Sequence, residues 1–189
     1  MKRYRLHIEL AEIRPVIWRR VWVEGNMHLL QLHHVIQAAM GWTDAHLHDF
    51  TIAGKRFSLP HEDDFADHPA IDERTIRLDQ MLKPGLAFEY QYDFGDSWIH
   101  VVRVEQAETI DQPYGAAYVE GGERACPPED SGGTPGYQEF LDRLAADPGD
   151  EEVSAFLEWA GEEFDPDHFD RRAANAALLR MAWNGWGTK

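Results

Sequence analysis

The sequence predicts an α+β fold, in which a mixed or antiparallel sheet with one packed helix is followed by a C-terminal helical region. Three observations support this prediction. Several short runs in the first half of the chain alternate apolar and polar residues, as half-buried strands do. One run within that half instead repeats its apolar residues at helical spacing, at Leu29, Leu32, Ile36 and Met40. The last third reads as consecutive helices. A hairpin, a helix and then more strands also resemble a β-grasp layout.

The predicted elements of the sheet part follow one another closely. They are a strand over 4–10, a strand over 17–23, a helix over 29–40 ended by Gly41, a strand over 46–52, a turn at 54–55, and strands over 86–92 and 98–104. Arg14-Pro15 separates the first two strands, so these form a predicted hairpin. Residues 60–75 are polar and acidic and are predicted to form an exposed loop, and Pro84-Gly85 ends a short helical turn.

We predict a single domain over 1–189 with three regions. Residues 1–106 hold the sheet and its helix, 107–136 form a loop rich in Gly and Pro, and 137–189 form the helical extension. Three pairs of a capping residue and a proline predict the helix starts, because proline at the first helical position costs no hydrogen bond. The pairs are Thr134-Pro135, Asp147-Pro148 and Asp165-Pro166, and Gly161 is placed to end the middle helix.

The charge of the chain argues against broad contact with nucleic acid. Residues 1–60 hold eight Lys/Arg and five Asp/Glu, or +3, and residues 61–189 hold ten and twenty-nine, or −19, which together give the net −16. Binding to nucleic acid depends on clustered basic residues, and the one small group is Arg14, Arg19 and Arg20. A single cysteine, Cys126, excludes an internal disulfide. Since no run has the length and apolar character of a membrane helix, we expect a cytoplasmic protein.

The triplet Asp93-Phe94-Gly95 occurs in protein kinases, but the Gly-rich loop and the H-R-D segment that a kinase needs are absent. We instead predict a hairpin with Gly95-Asp96 as a two-residue turn. In that register Asp93 faces Trp98 and Gln91 faces His100, which places His100 between Glu89 and Asp93. An imidazole between two carboxylates suits a general base, a metal ligand or a hydrogen-bonded structural histidine.

A second pattern, TDAHLHDF, places two histidines two residues apart. His46 and His48 are in phase with Phe50 on the predicted strand, a spacing that suits two ligands of one metal ion and also two packed histidines. Asp44, Asp49 and His100 are possible third partners. His33 and His34 face different sides of the first helix and indicate no site. The candidate metal ligands are therefore His46, His48, His100 and Asp93, and the further candidate binding residues are Glu89, Asp96, Trp98, Glu129 and Asp130.

Five blocks of sequence together resemble a known family. They are IRPVIWRRVWV, LQLHHVIQAAMGWTDAHLHDF, YDFGDSWIHVVRVE, CPPEDSGGTPGYQEFL and FDPDHFD, in order over about residues 4–180. The chain is identified as a member of the plasmid open-reading-frame-3-like family, first noted on an Agrobacterium root-inducing plasmid. The resemblance implies a compact bacterial α+β domain. Some members carry the label resolvase, and at least one is fused to a repressor-like DNA-binding domain.

The resolvase label does not match the chemistry of this sequence. A serine recombinase uses a serine near its N-terminus among arginines, whereas the first of the four serines here is Ser58. Our leading hypothesis is a non-enzymatic interaction or accessory domain associated with plasmids or mobile elements, with a protein partner and no cofactor. The alternative is a metal-assisted hydrolase that uses the histidines and carboxylates named above. A further alternative is a DNA-binding or recombination-related protein that uses the Arg14, Arg19 and Arg20 group.

Overall fold

The computed structural model describes residues 1–60, 70–161 and 164–186, and its core is built on an eight-stranded mixed sheet. The strands are β1 (Lys2–Leu10), β2 (Trp18–Glu24), β3 (His48–Ile52), β4 (Lys55–Ser58), β5 (Ile71–Asp72), β6 (Ala87–Tyr92), β7 (Trp98–Thr109) and β8 (Tyr118–Glu123). Their order across the sheet is β5-β4-β3-β6-β7-β1-β2-β8. Neighbours are antiparallel except β4 and β5, which are parallel. The predicted α+β class is confirmed.

The described part of the chain also forms helices. They are α1 (Leu29–Met40), α2 (Leu78–Met81), α3 (Gly133–Ala146), α4 (Glu151–Ala160), α5 (Arg171–Asn184) and a 3-10 turn over Glu73–Thr75. Helix α1 lies against β2 and α5, and its apolar side belongs to the same buried cluster as the inward residues of the strands. The hydrophobic effect of burying these alternating positions holds the sheet and α1 together.

The first hairpin and the first helix are as predicted. In β1 the side chains of Leu6, Ile8 and Leu10 are fully buried, and β1 pairs antiparallel with β2. Helix α1 ends at Gly41, whose N–H donates to the carbonyl of Gln37. Of the predicted loop over 60–75, residues 61–69 lie outside the described residues. Residues 71–72 form β5 rather than loop.

The predicted register of the second hairpin is wrong by one residue. Tyr92 pairs with Trp98 and Tyr90 pairs with His100, because the loop has five residues rather than two. Asp93 sets this loop: its φ is +55°, its carbonyl accepts from Ser97 N–H at 2.6 Å, and its Oδ1 accepts from Gly95 N–H at 2.9 Å. A shift of one residue turns every side chain to the other face. His100 therefore points into the core instead of lying between Glu89 and Asp93.

The loop predicted over 107–136 is partly wrong, since it contains the end of β7 and all of β8. The glycines that indicated a loop have another role there. A Cβ on Gly122 would lie 2.7 Å from the carbonyl oxygen of Trp18 and 2.7 Å from the ring of Phe169. Glycine at this position lets β8 approach β2 closely.

The proline pairs do not give the helix starts. Helix α4 begins after Asp150 and α5 after Asp170, and each of these carboxylates accepts from two backbone N–H groups of the first turn. Helix α3 begins after Gly132. Aspartate capping of free N–H groups sets the starts of α4 and α5, a few residues beyond their prolines, whereas α3 starts two residues before Pro135. Gly161 ends α4 as predicted. Among the described residues, the helices are too short or too polar to span a lipid bilayer.

Candidate metal centre

A histidine and three carboxylates from three separate loops meet at one end of the sheet. His46 lies just before β3, Asp93 lies in the loop between β6 and β7, and Glu129 and Asp130 lie before α3. The Nε2 atom of His46 is 3.6 Å from Asp93 Oδ2, 3.6 Å from Glu129 Oε2 and 3.5 Å from Asp130 Oδ1. These distances are longer than those of ordinary hydrogen bonds. His46, Asp93 and Asp130 offer ligand atoms that all lie within 4.8 Å of one another.

Two hydrogen bonds fix the orientation of the Asp93 carboxylate. Its Oδ1 accepts from the backbone N–H groups of Gly95 at 2.9 Å and Asp96 at 3.3 Å. This leaves Oδ2 directed at His46. The side chain that sets the hairpin loop is therefore also the one that presents an oxygen to the cluster.

The Glu129 carboxylate is oriented in the same way. Its Oε1 accepts from Thr43 N–H at 2.7 Å, from Thr43 Oγ1–H at 3.2 Å and from the Tyr92 hydroxyl at 3.1 Å. The Tyr92 oxygen in turn accepts from the N–H groups of Ala45 and His46. Burial is the main reason that the pKa of Tyr92 is raised, so this hydroxyl stays a donor. Glu129 Oε2 remains free to face His46.

The segment that carries Glu129 and Asp130 is attached to the rest of the protein on both sides. Trp42 Nε1–H donates to the carbonyl of Pro127 at 2.9 Å, and Gly132 N–H donates to Asp96 Oδ2 at 3.2 Å. Gly133 has φ +67°, and a Cβ there would lie 2.4 Å from the carbonyl oxygen of Asp96. The start of α3 therefore packs directly against the loop that carries Asp93.

A second, more buried network lies beside the first. His33 Nε2–H donates to Asp44 Oδ1 at 2.7 Å, and His33 Nδ1 accepts from the Tyr90 hydroxyl at 2.8 Å. His34 Nδ1 lies 3.3 Å from Asp44 Oδ2. His48 Nε2 lies 3.0 Å from Oε1 of Glu73, a carboxylate that is fully buried.

The charges of this network follow from burial and its hydrogen bonds. Burial lowers the pKa of His33 to about 4, so the ring is neutral at pH 7. Burial alone would raise the pKa of Asp44, but hydrogen bonds and charges from His33 and His34 together hold it below its usual value. Asp44 is therefore an anion held between two imidazoles.

His33 and His48 are unsuited to share one metal ion in this arrangement. Their rings are stacked, with centroids 3.4 Å apart and planes at 2°. The lone pair of an imidazole nitrogen lies in the plane of its ring, and an ion bound by both rings must lie close to both planes. Because the two ring planes are nearly parallel and stacked, no position for an ion lies close to both planes. The His46 cluster is the better candidate metal centre.

The other residues named from the sequence are distributed as follows. His100 is fully buried, and its Nδ1 lies 3.2 Å from the carbonyl oxygen of Trp98, away from His46 and His48. Trp98 is also in the core, Glu89 is exposed, and Asp96 binds Gly132. The sequence patterns assigned His33 to no site and did not identify Glu73. His33 lies one helical turn after Leu29, so a wider apolar stripe on α1 was the available signal.

The three arginines of the possible DNA-binding group do not form one exposed surface. The side chain of Arg19 is buried and donates to four backbone carbonyls, those of Trp18, Ala39, Glu123 and Arg124. Arg20 forms an ion pair with Glu105 at 2.8 Å. Arg14 Nη1–H donates to the carbonyl of Ile13 at 2.7 Å, so structural bonds occupy all three guanidinium groups.

Comparisons with known proteins place the chain in a family. Residues 2–173 match the family described as plasmid pRiA4b ORF-3-like protein. An uncharacterized protein of Sinorhizobium fredii is 39% identical over 179 residues, which cover 94% of this chain and 89% of that protein. The crystal structure of a protein of unknown function from Methanosarcina mazei Go1 is similar with a TM-score of 0.78 and 35% identity, covering 90% of this chain and 96% of the other. The chain therefore belongs to the plasmid pRiA4b ORF-3-like family, as its sequence blocks predicted.

Proposed function

We propose that this protein is a metal-dependent hydrolase whose divalent ion is held by His46, Asp93 and Asp130. The observation that carries the proposal is the spacing of the carboxylate oxygens around His46 Nε2, at 3.5–3.6 Å. Four ligands placed tetrahedrally at ~2.1 Å from an ion lie ~3.4 Å from one another. The distances from His46 Nε2 to the three oxygens thus match the spacing of atoms that surround an ion rather than of atoms that bond to one another.

The anchoring of two carboxylates supports the same proposal. In Asp93 and in Glu129 one oxygen accepts hydrogen bonds from neighbouring groups, and the other faces His46. Metal sites commonly fix their ligands through such outer contacts. A purely structural ion pair has no need of two carboxylates held in this way around one imidazole.

The ligand types indicate the ion and its chemistry. One imidazole and two carboxylates suit Zn²⁺ or Mn²⁺. Three protein ligands leave a fourth position for water, whose pKa a bound ion lowers toward neutrality. Glu129 Oε2, which is also directed at this point, would accept the proton that the water loses. The hydroxide would add to a carbonyl carbon, and the proton held by Glu129 would pass to the leaving group as its bond to that carbon breaks.

Calorimetric titration of Mn²⁺ and Zn²⁺ into the purified protein tests the centre. We expect one equivalent to bind, and Asp93→Asn to weaken binding at least tenfold. Asparagine tolerates the positive φ of residue 93 and keeps the Oδ1 acceptor, so the hairpin loop survives. Asp111→Asn removes an equal charge from an exposed position and is the matched control. Wild-type protein that neither binds nor is stabilised by either ion would refute the centre.

The hydrolytic role requires a separate measurement. We expect slow, chelator-sensitive hydrolysis of 4-nitrophenyl acetate by the metal-loaded protein. Glu129→Gln should keep most of the metal affinity and lose most of the turnover, because the amide accepts no proton at neutral pH. Metal binding with no turnover above that of free ion would leave a metal-binding protein and reject the hydrolase.

A specific surface favours a second candidate function, an interaction domain. Leu179 and Trp183 lie one turn apart on α5 and are 62% and 92% exposed. Leu179 also lines an apolar cavity of about 480 Å³ together with Tyr114 and Tyr118. Large exposed apolar groups of this kind are typical of binding surfaces. Sedimentation of wild type and of a Leu179→Ser, Trp183→Ser variant tests self-association, the simplest form of this role.

A further inference from the structure

The candidate metal centre lies beside a small pocket that the proposed chemistry does not use. The pocket has a volume of about 140 Å³. His46 lines it, and so does Phe94, the neighbour of Asp93 in the chain. A group that occupied this pocket would therefore lie next to the ion proposed above.

One side of the pocket is apolar although it lies at the surface. Leu47, Leu59 and Phe94 line it and are 58%, 42% and 43% exposed. Leu30 completes this side from α1. Leucine and phenylalanine side chains left partly open to water around one cavity favour an apolar occupant, because its binding removes their surface from water.

The remaining lining provides one negative charge. Besides its histidines, the pocket has two charged side chains in its lining, Arg56 and Asp44. Arg56 is paired with Asp49 at 2.9 Å, whereas within the described part of the chain Asp44 has only the imidazoles of His33 and His34 as ion-pair partners. The Asp44 side chain is 34% exposed, so a ligand can reach it.

The surrounding carboxylates favour a cationic ligand over an anionic ligand of comparable size. Four carboxylates contact the histidines that line the pocket. Those of Asp93, Glu129 and Asp130 face His46, and that of Glu73 contacts His48. The chain as a whole carries a net charge of −16. A carboxylate or phosphate placed beside Asp44 would be repelled, while a cation would gain from the same field.

We propose that this pocket binds a protonated primary amine on a short branched alkyl group, with the ammonium on Asp44 and the alkyl part against Leu30, Leu47 and Phe94. The volume limits the size of that group. At ~30 Å³ for each water of the liquid, the pocket corresponds to roughly five non-hydrogen atoms. Isobutylamine has that size.

The proposed amine ligand implies a substrate class for the metal centre. Isobutylamine with a carbonyl on its amine-bearing carbon is the acyl part of a valine amide. The substrate class is then an amide or ester of an apolar amino acid with a free amino group, and its carbonyl would lie toward the ion. This assignment rests on the proposed hydrolase, whereas the binding of the amine itself does not.

Binding is tested on the full-length protein with a matched pair of probes. We expect calorimetry to give at least tenfold tighter binding of isobutylamine than of isobutyrate, which has the same branched end and the opposite charge. Asp44→Asn should remove that preference, and asparagine is compatible with the φ of +61° at this residue. Asp111→Asn should leave it unchanged. Equal binding of the two probes, or an unaltered preference in Asp44→Asn, would overturn the proposal.

Turnover separates this inference from the proposed function. With metal-loaded protein we expect L-valine 4-nitroanilide to be hydrolysed at least tenfold faster in kcat/KM than its N-acetyl derivative, which lacks the charge. Equal rates for the two, with metal bound, would refute the substrate class and leave the hydrolase. Selective amine binding by a protein that takes up no metal would refute the hydrolase and leave the amine pocket.

Discussion

The hydroxyl of Tyr92 donates a hydrogen bond to Glu129 Oε1 at 3.1 Å while its oxygen accepts from the N–H of His46. Two of the groups around the candidate ion therefore share one anchor on strand β6. We expect Tyr92→Phe to weaken Mn²⁺ binding by about tenfold, since removal of an outer contact loosens both groups. Tyr4→Phe is the control, because the Tyr4 hydroxyl is buried with no hydrogen-bond partner in the described chain. Equal affinities of Tyr92→Phe and wild type would contradict this role.

Gly133 should tolerate no side chain. In Gly133→Ala the new Cβ would lie 2.4 Å from the carbonyl oxygen of Asp96, at a φ of +67°. We expect a loss of at least ~2 kcal/mol in the free energy of unfolding, measured in urea. At Gly132 the φ is +86° but the nearest atom is 3.7 Å away. Gly132→Ala should therefore cost only about 1 kcal/mol, and a similar cost for both variants would rule out the close contact.

Arg19 and Arg20 are neighbours whose expected contributions to stability differ in size. Arg19→Met leaves four backbone carbonyls, including those of Ala39 and Glu123, without their donor. We expect this to lower the free energy of unfolding by about 3 kcal/mol or more. Arg20→Met removes a partly exposed ion pair with Glu105 and should cost at most ~1 kcal/mol. Thermal and urea unfolding of the two variants give the comparison directly.

His100 should make the protein sensitive to acid. Burial lowers the pKa of His100 to about 4 from the ordinary 6.5. Between these values the unfolded chain binds a proton that the folded chain does not, so acid favours unfolding. We expect stability to fall as the pH decreases from 6.5 to 4, with up to about 3 kcal/mol due to this residue. His100→Phe should reduce that dependence without abolishing it, because burial lowers the pKa of His33 to about 4 as well. An unchanged pH profile in His100→Phe would contradict the role of His100.

The sequence was sufficient to predict an element where the local pattern of that element agrees with its burial. Alternation in β1 and the helical repeat of α1 predicted both elements because one face of each is buried in the same core. His46, Asp93, Glu129 and Asp130 were all named as candidates. Their convergence was not predictable, because they come from three loops whose relative positions are set by tertiary contacts such as that of Gly133 with Asp96.

The errors have equally specific causes. The position of His100 was wrong because the side chain of Asp93 extends the hairpin loop, and turn propensity alone favoured a shorter one. His33 was assigned to no site and Glu73 was not identified because their roles depend on a partner distant in sequence. Glu73 meets His48 through a packing arrangement that leaves no periodic signal in either segment.

The separation of His46, Asp93 and Asp130 along the chain has a thermodynamic consequence. Because these residues are neighbours only in the native fold, an ion that needs all three binds the folded chain and not the unfolded one. Occupancy and folding then become linked equilibria, and a free ion concentration one hundred times the dissociation constant adds about 2.7 kcal/mol to stability. The melting temperature would thus report the availability of the ion, and depletion of the ion would make the protein more accessible to proteolysis.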